Sequence, residues 1–156
     1  MKIEIEDLLF KKYPLLFSPP PVFGIETGEG WLSLIDTLCA CIQSYLNTKE
    51  DKTAVPAVHV CQVKEKFGTL RFYISGGDSA VNAMIDLAER LSVVTCEKCG
   101  SPAVIKHGGW SCVRCPACAG MEPLTSSAQQ SLDNAVEQLK ICTLNKETGE
   151  AIHNGS

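Results

Sequence analysis

A chain of 156 residues with 45% hydrophobic content is the size of one ordinary domain, or of a small domain carrying a metal-held appendage. Its net charge is −4, and only residues 96–121 are basic, with 3 cationic against 1 anionic side chain, compared with 9 against 12 in 1–95 and 2 against 5 in 122–156. This balance argues against coating of a phosphate backbone, which draws on a strong basic excess, and no run of about 18 apolar residues is present to span a bilayer.

The opening "MKIEIEDLL" is acidic and lacks the apolar core of a signal peptide, so a reducing cytoplasm is the expected compartment. "IEIEDLLFKKYP" reads as a short helix with Ile5, Leu8 and Leu9 on one side and Pro14 ending it. "FSPPPVFG" follows as a stiff, extended connection, because proline fixes φ and removes backbone donors. "GEGWLSLIDTLCACIQSYLNTKED" then places Trp31, Leu34, Ile35, Leu38, Ile42, Tyr45 and Leu46 at helical spacing, which predicts a long helix with its apolar face in the core.

Between 55 and 78 the period drops to 2. Val58, Val60 and Gln62 alternate with His59, Cys61 and Val63, and Leu70, Phe72 and Ile74 alternate with Arg71 and Tyr73 beyond the turn at "KEKFG". This predicts an antiparallel hairpin. "DSAVNAMIDLAERLSVV" opens with Asp78 or Ser79 as an N-cap and lines up Val81, Met84, Ile85, Ala88 and Leu91, so a third helix leads to Cys96. Beyond the cysteines, "SSAQQSLDNAVEQLK" carries a thin stripe of Leu132, Val136 and Leu139 that predicts a last amphipathic helix before a polar tail. The expected organisation is α+β: a core over 1–93 with helices on a small antiparallel hairpin or sheet, a zinc ribbon over 94–121, and a C-terminal helix and tail over 122–156.

Five cysteines fall between Cys96 and Cys118. A structural zinc takes four thiolates, which close its shell and tie together a segment too small to hold itself. Cys96 and Cys99 form the first pair, with Gly100 supplying the positive φ that such turns favour. The second pair is Cys112 with Cys115 or Cys115 with Cys118, and spacing alone does not separate them. Local chemistry favours the latter: Pro116 restricts the turn, small Ala117, Ala119 and Gly120 surround Cys118, and Cys112 alternates with Ser111 and Val113 as on a strand behind Trp110. The expected zinc ligands are Cys96, Cys99, Cys115 and Cys118, with Cys112 surplus and His107 a turn residue.

Three blocks, "GWLSLIDTLC" (30–39), "QVKEKFGTLRFY" (62–73) and "CEKCG" (96–100), precede "GW" at 109–110 and a closing ligand pair. Together they resemble a group of small uncharacterised proteins encoded by bacteriophages and prophages, over roughly residues 13–119. In that group the last ligand is often histidine in a C-x-x-H arrangement; the resemblance puts the closing pair at Cys115 and Cys118. This chain departs from the group by having Cys118 in place of histidine, by adding Cys112 and by its C-terminal helix. The resemblance implies a zinc site and a phage or prophage setting, where small accessory proteins bind and redirect host or defence machinery.

Other motifs weigh less. "ISGGD" at 74–78 joins a strand to a helix as a phosphate loop would, but Asp78 repels an anion and favours a plain N-capped turn. Lys64, Lys66, Phe67, Arg71 and Tyr73 form a candidate partner-binding surface on the hairpin, with a solvated sheet face as the plain alternative. A zinc deaminase needs an H-x-E segment and a zinc protease H-E-x-x-H, which the three scattered histidines do not supply, and Asp36, Asp86 and Glu89 read as solvated carboxylates. The expectation is therefore a non-catalytic, Zn2+-containing module that binds a protein partner. The competing class is a nucleic-acid regulator using Lys98, Lys106 and Arg114 with the hairpin lysines.

Overall fold

The structure, a computed structural model, describes residues 1–49, 57–106 and 111–120, together with Gln130 and Asn134. It is α+β, in the order α1 (Ile3–Lys12), β1 (Ile25–Glu26), α2 (Leu32–Thr48), β2 (His59–Lys66), β3 (Thr69–Ser75), α3 (Ser79–Ser92), β4 (Val104–Lys106) and β5 (Cys112–Arg114). Short 3-10 turns at Glu29–Trp31 and Ala117–Ala119 precede α2 and follow β5. None of the described helices is long and apolar enough to cross a membrane. Apart from Gln130 and Asn134, both helical, the expected C-terminal helix and the tail lie outside the described residues.

The hairpin expected over 58–75 is present, but the sheet is mixed rather than purely antiparallel. β1 adds a third strand, parallel to β2, with Ile25 opposite Val63 and Glu26 opposite Lys64. Two residues are too few to show a period, which is why this strand has no sequence signature. The alternation along β2 also needs correction. The register shifts between Val60 and Gln62, leaving Cys61 as an extra residue, so Val58, Val60 and then Val63 turn inward and Gln62 turns out.

The first helix is rotated relative to the expected face. Leu9 is buried and Tyr13 follows it into the core, whereas Leu8 is 67% exposed, because adjacent helical residues point about 100° apart and only one of the pair can face inward. In α2 the expected stripe is the core: Ile35, Leu38, Cys39 and Ile42 are buried beneath fully buried Trp31, just ahead of the helix. Burial pushes the Cys39 thiol up to about 12, so it behaves as a small apolar side chain.

Helix α3 is capped as expected. The Asp78 carboxylate accepts from the backbone N–H groups of Ala80 and Val81 at 3.1 and 3.0 Å, and also from the Tyr45 hydroxyl at 2.6 Å. The same helix closes the outer edge of β3, where unpaired N–H groups would invite another strand. Leu70 N–H donates to Ser92 Oγ at 2.9 Å and Phe72 N–H to Glu89 Oε1 at 3.1 Å. Glu89 also takes Arg71 Nη1 at 3.0 Å, and Asp36 holds Lys12 Nζ at 2.7 Å and the Tyr13 hydroxyl at 2.8 Å. Both carboxylates are structural partners rather than simply solvated groups.

Two predictions follow from these contacts. Ser92→Ala leaves the buried Leu70 N–H unpaired and is expected to cost about 1–3 kcal/mol in urea denaturation; a loss under about 0.5 kcal/mol would show that the bond does not hold the edge. The Tyr45 hydroxyl and the Val81 and Ala80 N–H groups hold the Asp78 carboxyl below its ordinary 3.8. Its contribution is therefore full above that value and is lost as pH falls through the depressed folded value. Asp78→Asn keeps a capping oxygen without the charge, so its urea midpoint should fall less than the wild type's between about pH 5 and pH 2.

Candidate metal centre

The chain leaves α3 at Ser92, and Thr95 bridges to Pro102, folding the intervening residues into a tight loop. Cys96 N–H donates to Ser101 O at 2.7 Å and Gly100 N–H to Cys96 O at 2.8 Å, with Gly100 at φ 79. Only glycine adopts that value without strain. The second loop leaves β5 at Cys115, where Pro116 starts the 3-10 turn and Ala119 N–H returns to Cys115 O at 2.9 Å. Gly120, at φ 64, ends it.

The two loops bring four sulfurs together. The Sγ atoms of Cys96, Cys99, Cys115 and Cys118 all lie within 4.8 Å of one another, and those of Cys99 and Cys115 are 3.6 Å apart. A tetrahedral ion with metal–sulfur bonds of about 2.3 Å spaces its sulfurs about 3.8 Å apart, so this group can hold one metal ion with little adjustment. Cys112 is not part of the group; it pairs with Lys106 across the β4–β5 ribbon. Cys118 N–H points at Cys115 Sγ at 3.4 Å, the kind of donor that supports a thiolate.

Electrostatics within the group are uneven. Ser101, through its hydroxyl and its backbone N–H, holds the Cys99 thiol down to about 6. Contact with the Cys99 and Cys115 sulfurs pushes Cys118 up to about 12. One thiol gives up its proton readily and the last resists, because each further thiolate is formed beside existing negative charge. A divalent cation held by the four sulfurs would favour all four as thiolates.

The centre is built into the core. Cys96, Ala103, Val113 and Cys115 are buried in the same apolar cluster as Trp31 and Ile35. Trp31 Nε1–H donates to Thr95 O at 2.7 Å, and Gly30 N–H donates to Glu97 O at 2.8 Å. Glu97 links three segments: its carboxylate accepts Gly28 N–H at 3.1 Å and Arg114 Nη1 at 2.8 Å, and its own N–H donates to Val113 O at 3.1 Å. A Cβ on Gly30 would collide with the Cys96 carbonyl oxygen and lie 2.6 Å from the amide nitrogens of Cys99 and Gly100. The "GEG" seat at 28–30 lies outside the sequence expectations; its only local signal is two glycines without the Cβ that would block this close approach.

The remaining expected site residues fall elsewhere. By register, Lys64 pairs with Arg71, Lys66 with Thr69 and Gln62 with Tyr73, so Lys64, Lys66, Arg71 and Tyr73 share the outer sheet face. Phe67 sits at the hairpin tip. On the ribbon, Lys98 is exposed and Arg114 is engaged by Glu97; His107 and Trp110 lie outside the described residues. The "ISGGD" turn has no place for phosphate, since Asp78 itself takes the first free N–H groups of α3.

The ligand assignment is open to a direct check. Cys118→Ser should lower bound metal well below one ion per chain in elemental analysis of purified protein, whereas Cys112→Ser should leave it at one. Equal loss in both variants would move the centre to a different set of thiols.

In comparison with known proteins, no family model, no curated protein and no solved structure matches this chain.

Proposed function

We propose that this protein is a non-catalytic, zinc-stapled module of the cytoplasm that binds a protein partner, a phage or prophage accessory protein that engages host or defence machinery. The observation that carries the first part is the gathering of four thiol sulfurs within 4.8 Å on a buried seat. Soft thiolates in a tetrahedral arrangement select zinc, and four of them leave no open position at which water becomes a nucleophile. The site then supplies stability and shape. Carboxylates that would serve catalysis are already committed, Asp36 to Lys12 and Tyr13, and Glu89 to Arg71 and the β3 edge.

The phage setting rests on the resemblance of the three sequence blocks, and the protein partner follows from that setting together with the closed metal shell. A nucleic-acid role is disfavoured by the net charge of −4 and by the pairing of Arg114 with Glu97.

A zinc chelator should lower the melting temperature of the purified protein by more than about 5 °C, with zinc restoring it. The zinc-loaded protein should retain one stoichiometric partner from bacterial lysate through size-exclusion chromatography. An unchanged melting profile on chelation would sink the staple. Tight binding of mixed DNA and RNA that falls steeply with salt would replace the protein partner by nucleic acid.

A further inference from the structure

Resting on the protein-binding reading above, we propose that the tip and outer face of the β2–β3 hairpin are the docking surface, and that the partner is an acidic protein segment with an apolar pocket for Phe67. The Lys66–Thr69 pair closes a two-residue turn in which both central residues, Phe67 at φ 54 and Gly68 at φ 77, have positive φ. Turns of this type favour Asn-Gly, since left-handed backbone crowds a larger Cβ substituent against the chain. A bulky aromatic at the first position works against the turn's own conformation.

Burial does not offset that cost, because Phe67 is 76% exposed. The turn is nevertheless firmly built: Gly68 N–H donates to Glu65 Oε1 at 2.6 Å and Thr69 Oγ1 to Lys66 O at 2.8 Å. From behind, the tip leans on the ribbon, where a Cβ on Gly68 would touch the Cys112 amide nitrogen at 3.5 Å. An exposed aromatic ring is thus presented on a rigid finger, which reduces the ordering cost of binding.

The charges beside it point to the partner's chemistry. Lys2, Lys12, Arg71 and Arg114 each have a carboxylate within reach; among the described residues Lys64 and Lys66, like Lys11, Arg90 and Lys98, have none, and these two stand together beside the tip. Their ammonium groups stand 5.6 Å from the ring centroids of Tyr73 and Phe67 respectively. Two lysine ammonium groups without a carboxylate, set beside two exposed rings, complement a short acidic segment that meets this patch alone. A polyanion fits less well, because its charge extends past the two lysines onto a chain of net charge −4. Aromatic anchors ringed by polar groups are the common form of a protein-binding hot spot.

The test uses full-length zinc-loaded protein to select from a displayed random peptide library, with mixed-sequence single-stranded DNA as the competing ligand. Enriched peptides should carry Asp or Glu flanking an apolar run. Phe67→Asn should weaken their binding at least about tenfold while raising the melting temperature by about 2 °C or more, since asparagine suits the turn. The double variant Lys64→Glu, Lys66→Glu should also lose at least about tenfold, and salt should weaken the wild type's binding. Neutral or basic peptides, no enrichment over a blank surface, or binding indifferent to these substitutions would overturn the proposal. So would DNA bound more tightly than peptide and lost with the two lysines. Zinc content and chelator sensitivity, measured on every variant, keep failure of the docking surface distinct from failure of the metal staple.

Discussion

Everything on the ribbon side of the molecule depends on a close approach of two backbones. Residues 28–30 lie against the Cys96–Gly100 loop with no side chain between them, and Gly30 N–H reaches Glu97 O at 2.8 Å. That contact exists only because Gly28 and Gly30 have no Cβ. It brings the amide of Gly28 to the Glu97 carboxylate, and the next residue, Trp31, anchors the start of α2 to Thr95 just ahead of the first cysteine. A loop that would otherwise hang from the end of α3 is thus fastened to the start of α2.

This fastening explains how so short a ribbon acquires a defined form. Strands β4 and β5 have three residues each, too few to be stable in isolation. They gain order from Val113 and Ala103 in the core, from the ion pair of Glu97 with Arg114, and from the four-sulfur group. Without a cation the group avoids repulsion by keeping protons, as the raised Cys118 thiol shows, and so four neutral or singly ionised sulfurs add little cohesion. A metal ion held by the four sulfurs would tie both loops together, and ribbon order and metal affinity would then be linked. The hairpin tip lies close to this ribbon, since a Cβ on Gly68 would sit 3.5 Å from the Cys112 amide nitrogen.

Much of this was legible in the sequence, and the pattern of misses has a physical cause. The long stripes of α2 and α3 depend on periodicity within one segment, and the paired C-x-x-C spacing depends on local ligand geometry; both can be read from neighbouring residues. The missed features depend on distant partners. Leu8 and Leu9 are equivalent until the core selects one, and β1 is a strand only because Val63 and Lys64 lie beside it. The bulge at Cys61 is defined by β3 pairing, and the roles of Asp36 and Glu89 by Lys12, Tyr13 and Arg71. No window of sequence contains both halves of those interactions.

Local preference and global fold agree along most of the described chain, and the exceptions are few. Asp78 caps the helix it precedes, Gly100 and Gly120 occupy the left-handed positions that their loops require, and most cations near a carboxylate have found it. Phe67 does neither of the things expected of an aromatic residue, since it is unburied and sits in backbone that disfavours it. Such violations persist where some other requirement outweighs stability. Lys64 and Lys66, without a carboxylate among the described residues, stand over the Tyr73 and Phe67 rings beside the same tip. The arrangement is physical: the Gly28–Gly30 seat, Glu97 and the core hold the ribbon, the ribbon stands behind the turn, and the turn leaves one aromatic ring uncovered.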